Sequence, residues 1–248
     1  METEEQVHEL MDGSSVTIVR INDRYGHKYA LREGGEQRFD QDLGLMPSVT
    51  SLTSHVDAGA FQIGMNWAMK VARENGGDLE APKRVGKEAL DQGNALHDDI
   101  DSYIKHGTVN EESPAFVTWL REIGSQLNFN ASELFVYHRK MVYGGTVDAI
   151  GMNWAWDWKT KDPDSYAKNG GSLKDHVQLA AYVEALRSME SIHTPVEAKI
   201  AYVMRDGSGV DVVDVDIEGS FELFINSRSM KYMVDTFKHV TKPKWKRA

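Results

Sequence analysis

The 248-residue chain contains no cysteine. That absence excludes disulfide staples, thiolate zinc sites and cysteine-ligated iron–sulfur clusters, so any metal must be held by oxygen or imidazole. No apolar run approaches the ~20 residues that cross a bilayer. The opening METEEQVHEL has neither the charged-then-apolar order of a secretory signal nor the arginine-rich character of a mitochondrial presequence, and a cytoplasmic setting is expected. No phosphate-binding loop of the Gly-rich, Gly-Lys-Ser/Thr type occurs, so cleavage coupled to nucleotide hydrolysis is not expected of this chain. The net charge of -10 argues against a protein that coats nucleic acid, because phosphate neutralisation is the main source of such affinity. The charge is uneven, however: Lys231, Lys238, Lys242, Lys244, Lys246 and Arg247 stand against the lone acid Asp235. This tail reads equally as a phosphate-backbone contact and as a solvated terminus.

What is present suffices for one substantial core, with 41% hydrophobic residues over 248 positions. A single domain is expected, with an N-terminal hairpin and helical annex over 1–130 and a catalytic core over 131–248. The hairpin signal lies around Asn22 to Gly26. Apolar spacing predicts helices over 58–74, 83–105 and 113–126. Three strands follow, ELFVYHR, MVYGGTVDAIGM and WAWDWKT; DPDSYAKNGGS reads as a loop. A helix over 173–189, strands at EAKIAYVM and VDVVDVDI, and a closing helix over 219–237 complete the order. The pattern predicts an α/β fold with a central mixed β-sheet flanked by helices.

Chemistry concentrates in the three-strand unit. A pleat repeats every two residues, so Asp157 and Lys159 share one face of WAWDWKT while Trp154, Trp156 and Trp158 take the other. Asp148 lies on the preceding strand, across the short GMN connection. Two carboxylates brought side by side repel unless a cation sits between them, and hard oxygen ligands suit Mg2+ or Mn2+. An adjacent ammonium would orient a metal-bound water and offset charge on a phosphoryl transition state. An isolated Asp-x-Lys triplet is common on exposed strands. The buried tryptophan face makes the charged one more telling.

Five segments in register resemble the PD-(D/E)XK nuclease superfamily, in its RecB-like exonuclease branch, close to the mitochondrial genome maintenance and phage exonucleases of that group. They are LMPSVTSL, EALDQGNALHDDIDSYIKHG, GGTVDAIG, DWKT and QLAAY, in that order along the chain. The resemblance implies that Asp148 and Asp157 bind the divalent metal with the main-chain carbonyl of Trp158, that His97 completes the metal shell, and that Lys159 activates or positions the attacking water. Gln178 and Tyr182 match the branch's QxxxY motif near the DNA strand. Thr160, Ser48 and Thr50 are further candidates for DNA contact or support. Glu133 stands where the family often has an acid that reaches the metal through water.

Each residue also has a bland reading. A lone helical histidine is usually a surface or satisfied core residue, Gln178 and Tyr182 share a helix face for packing alone, and Ser48 and Thr50 suit turn and cap duty. Glu133 reads equally as a surface strand residue. The expected function is a Mg2+- or Mn2+-dependent DNA exonuclease, phage or bacterial, acting on single strands or free ends, with replication or recombination proteins as potential partners. The alternatives are a structure-selective endonuclease on the same core and a catalytically inactive DNA-binding or interaction module. Asp157 and Lys159 are expected at a metal-facing strand end rather than in the core, so that their substitution leaves the fold intact.

Overall fold

The computed structural model describes residues 2–23, 26–33, 36–38, 45–56 and 60–237. In chain order the elements are β1 (Glu2–Glu9), β2 (Ser15–Asp23), β3 (Gly26–Glu33), β4 (Glu36–Arg38), β5 (Met46–Pro47), α1 (Val49–Leu52), α2 (Ala60–Glu74), α3 (Ala81–His106), α4 (Pro114–Trp119), β6 (Phe129–His138), β7 (Tyr143–Gly151), β8 (Trp154–Lys161), α5 (Pro163–Asn169), α6 (Leu173–Met189), β9 (Glu197–Met204), β10 (Val210–Asp214) and α7 (Ile217–Phe237).

The central sheet runs β10-β9-β8-β7-β6. Strands β6, β7 and β8 are consecutive antiparallel neighbours, β9 lies parallel to β8, and β10 is antiparallel to β9. A parallel pair needs a long crossover, and α6 supplies it. This is the expected α/β fold with a mixed sheet flanked by helices. Helix α6 is buried nearly all round, with Val177, Leu179, Ala180, Ala181, Val183, Ala185 and Leu186 all inaccessible. A helix without a polar face belongs inside a domain. On the opposite face Leu96 and Ile100 of α3 join Phe116 and Trp119 of α4 against Trp156 and Trp158. The tryptophan face of β8 is therefore buried as expected, with Trp156 and Trp158 stacked at 5.2 Å and Trp119 edge-on to Trp158 at 5.5 Å.

The N-terminal region holds more strand than its sequence suggests. Strands β2 and β3 pair antiparallel on either side of the expected turn, of which residues 24–25 lie outside the described residues, but the acidic opening segment is also a strand, β1, paired with β2 along its length. Its glutamates face solvent and meet basic partners: Glu4 lies 2.8 Å from Arg20, and Glu5 lies 2.8 Å from Arg32. Charge on an edge strand blunts further pairing, which is why composition hid the element. Nor is the segment DPDSYAKNGGS a plain loop. Asp162 caps α5 by accepting the Ser165 N–H at 2.9 Å, with Pro163 in the first turn. The helix expected over 113–126 is α4 continued by a π-helical turn at Leu120–Gly124. Of the basic tail, residues 238–248 lie outside the described residues, while Lys231 pairs with Asp235 at 2.8 Å within α7. Among the described residues no helix is long and apolar enough to cross a membrane.

Candidate active site

The site begins with two glycines. A Cβ on Gly144 would lie 2.5 Å from Tyr29, and one on Gly145 would lie 2.2 Å from Tyr182. The start of β7 is thus clamped between the N-terminal sheet and α6, at spacings no larger residue permits. Four residues on, Asp148 sits between two interruptions of the sheet. The β6–β7 ladder pairs Ser132 with Ala149 and Leu134 with Val147 but omits the Glu133–Asp148 step. The β7–β8 ladder holds only Ala149 with Trp156 and Ile150 with Ala155, and stops before Asp148. The Asp148 carboxylate fills the opening by accepting the Trp158 N–H at 2.7 Å. Glu133, across from it, has φ 49, a left-handed backbone that a non-glycine residue adopts only under constraint.

His97 reaches this opening from α3, one residue past the buried Leu96. Its Nε2 is 2.9 Å from the Trp158 carbonyl oxygen. If that nitrogen donates, Nδ1 faces the acids, at 3.6 Å from Asp148 and 3.9 Å from Glu133. Burial alone would depress the imidazole, but the neighbouring Asp148 and Glu133 carboxylates outweigh it and raise the pKa to about 9. The ring is thus charged at neutral pH, the cation that two facing carboxylates demand. Ligand atoms of His97, Glu133 and Asp148 all lie within 4.8 Å of one another. A hard dication with bonds of ~2.0–2.6 Å can bridge that spacing, so this His/Glu/Asp group could hold a metal in exchange for the imidazole proton.

Asp157 is not one of the three. It is fully buried, and its carboxylate turns to the Lys159 ammonium at 2.5 Å. The two side chains share a face, as the pleat requires. The expectation of a strand end outside the core is corrected here: α6 covers that face and leaves Asp157 no water. Burial raises the Asp157 pKa, and the nearby Asp148 charge raises it further against the pull of Lys159. Burial works against the Lys159 charge too, but Asp157, Asp148 and Asp175 outweigh it and hold the ammonium above its ordinary value. The Trp158 carbonyl is likewise taken up by His97.

The remaining candidates divide by position. Lys159, Thr160, Trp158, His97 and Glu133 line a cleft of about 710 Å³ together with Arg20 and Asn94. Thr160 faces α3, its Oγ1 only 3.3 Å from the place a Gly93 Cβ would take. Gln178 and Tyr182 lie behind the sheet, where the Gln178 amide donates to the Tyr182 hydroxyl at 3.0 Å and Tyr182 is buried. The Thr50 side chain stands beside Tyr182. Ser48 is buried and caps α1 by accepting the Ser51 N–H at 3.2 Å, the local duty its sequence context suggests. Among the cleft residues that escaped sequence reasoning are Gln6 and Arg20. Nothing local marks either: both approach from the N-terminal sheet, more than a hundred positions away. The Arg20 guanidinium lies 4.9 Å over the Phe135 ring while paired to Glu4.

No family model and no curated protein matches the chain. Among solved structures, that of SSO0001 is 16% identical with a TM-score of 0.37, over 74% of this chain and 75% of that one. LHK-Exo in complex with dAMP is 12% identical with a TM-score of 0.33, over 79% of this chain and 95% of that one. Likenesses this distant decide nothing about this chain's activity, which leaves the side chains of the cleft to speak for it.

Proposed function

We propose that the chain is a Mg2+- or Mn2+-dependent deoxyribonuclease, an exonuclease that hydrolyses phosphodiester bonds of single-stranded DNA or free ends. The supporting observation is the convergence of His97, Glu133 and Asp148 within 4.8 Å, with His97 and Glu133 lining the same cleft as Lys159. In this reading those three side chains hold the cation. A dication so held would polarise a phosphoryl oxygen and lower the pKa of an attacking water. Asp157 keeps Lys159 charged and fixed, and the ammonium, a quarter exposed at the cleft, balances negative charge gathering on the phosphate oxygens. Asp148 binds twice over, since its second role is to hold the Trp158 N–H and so keep β7 and β8 splayed. The acidic net charge suits an enzyme that releases its polymer after each cut.

The test uses end-labelled linear single strands and closed single-stranded circles, with Mg2+, with Mn2+ and with chelator. Loss of the linear substrate alone, only with metal, is the expected result. Cutting of the circle would instead identify an endonuclease. No loss of either in any metal would sink the enzymatic reading and favour a DNA-binding or interaction module. Strands labelled at opposite ends give the polarity.

A further inference from the structure

Strand β6 closes one edge of the central sheet, so among the described residues its outward backbone groups have no strand partner within that sheet. At Glu133 and Phe135 they are met by one side chain. The Gln6 amide Nε2 donates to the Glu133 carbonyl at 2.6 Å, and Gln6 Oε1 accepts the Phe135 N–H at 2.7 Å. One amide thus imitates a strand partner across a two-residue step, from 127 positions away in sequence. The step it grips contains the left-handed residue of the site, Glu133 at φ 49. A left-handed non-glycine residue is strained and persists only where its surroundings over-determine it. On its inner side the ladder skips Glu133, so that strand pairing does not fix its conformation there. Gln6 supplies the constraint from the outer side.

We propose that Gln6 is a positioning residue: by gripping the β6 backbone on both sides of Leu134 it holds Glu133 in the conformation that aims its carboxylate at His97 and Asp148. The inference rests on the cation-site reading above. The competing role is simple adhesion between the N-terminal sheet and the core, and the two differ in what they predict. Adhesion lowers the melting temperature and leaves the cation affinity of the folded protein alone. Positioning weakens that affinity while the protein stays folded.

The experiment titrates the full chain with Mn2+, followed by the free-ion paramagnetic resonance signal, at a temperature where each variant is folded by circular dichroism. Gln6→Met keeps the length of the side chain without either hydrogen bond. Gln6→Glu keeps the acceptor for Phe135 N–H, loses the donor, and serves if Gln6→Met does not fold. Asp148→Asn reports on the site itself. Residues that orient ligands without touching metal typically matter by about 10–100-fold. The expected result is therefore a dissociation constant raised at least about tenfold in Gln6→Met, a smaller rise in Gln6→Glu, and a large rise in Asp148→Asn. Wild-type affinity in the folded Gln6 variants, with Asp148→Asn impaired, overturns the positioning role and leaves the site standing. Absence of binding in the wild type, or wild-type binding in Asp148→Asn, overturns the site and the Gln6 role with it.

Discussion

Lys159→Met should cost stability before it costs anything else. Asp157 is entirely buried, and among the described residues Lys159 is the cation it meets, at 2.5 Å. Removing one partner of a buried ion pair leaves a charge in low dielectric and typically costs ~3–5 kcal/mol. Lys159 is 24% exposed, so solvent screens part of the interaction and the lower figure, about 3 kcal/mol, is the expectation. The double variant Asp157→Asn/Lys159→Met removes both charges and should recover most of that loss, giving a coupling of roughly 2 kcal/mol in a double-mutant cycle. Urea unfolding at pH 8, with midpoints converted through the common slope, measures each corner.

Acid provides an internal check on the same variant. With the lysine gone, burial and Asp148 raise the folded-state pKa of Asp157 above its unfolded value, so the folded state binds the extra proton. Its stability then falls as pH rises through that interval. The deficit of Lys159→Met should be greatest at pH 8 and shrink towards pH 4. A Lys159→Met protein that unfolds with the wild type at both pH values would refute the buried pair. So would a double variant less stable than the single one.

Glu133→Gln should raise the Mg2+ concentration for half-maximal DNA cleavage by about tenfold or more; an unchanged midpoint would remove Glu133 from the cation site. His8 is buried, and burial, with the His193 charge, lowers its pKa to about 4. The unfolded imidazole takes up its proton near pH 6.5 while the folded one resists, so stability should fall by on the order of 3 kcal/mol as pH drops through that window. Chemical denaturation of His8→Leu should show that part of the acid slope missing, and an identical slope would contradict the assignment. Gly145→Ala places its methyl 2.2 Å from the Tyr182 ring and should destabilise by ~1–3 kcal/mol. Combining it with Tyr182→Ala should relieve the clash, which a thermal melt would reveal by sub-additive losses.

Much of the core was readable from short stretches. Period-two alternation in WAWDWKT put Asp157 beside Lys159 and the tryptophans behind them, because a pleat is a local constraint and nothing distant can reverse it. Helix α3 was equally legible, from apolar spacing and from the Gly107 stop, whose left-handed φ of 69 returns its N–H to Tyr103. Strand β1 was not, because an edge strand carries its glutamates outward and so resembles a solvated tail. Helix α5 was written in the Asp-Pro-Asp-Ser cap but outweighed by the glycines after it.

The sequence by itself determined which residues could carry chemistry here: no thiol, one histidine at the right turn of α3, and acids and a lysine on strands that must alternate. Tertiary structure decided which of them meet. Asp157 became a buried counter-ion because α6 lies over its face. Glu133 joined His97 and Asp148 because two ladders lapse around Asp148 and its own backbone turns left-handed. Cross-strand register and helix packing are set between residues far apart in the chain, and no local period records them.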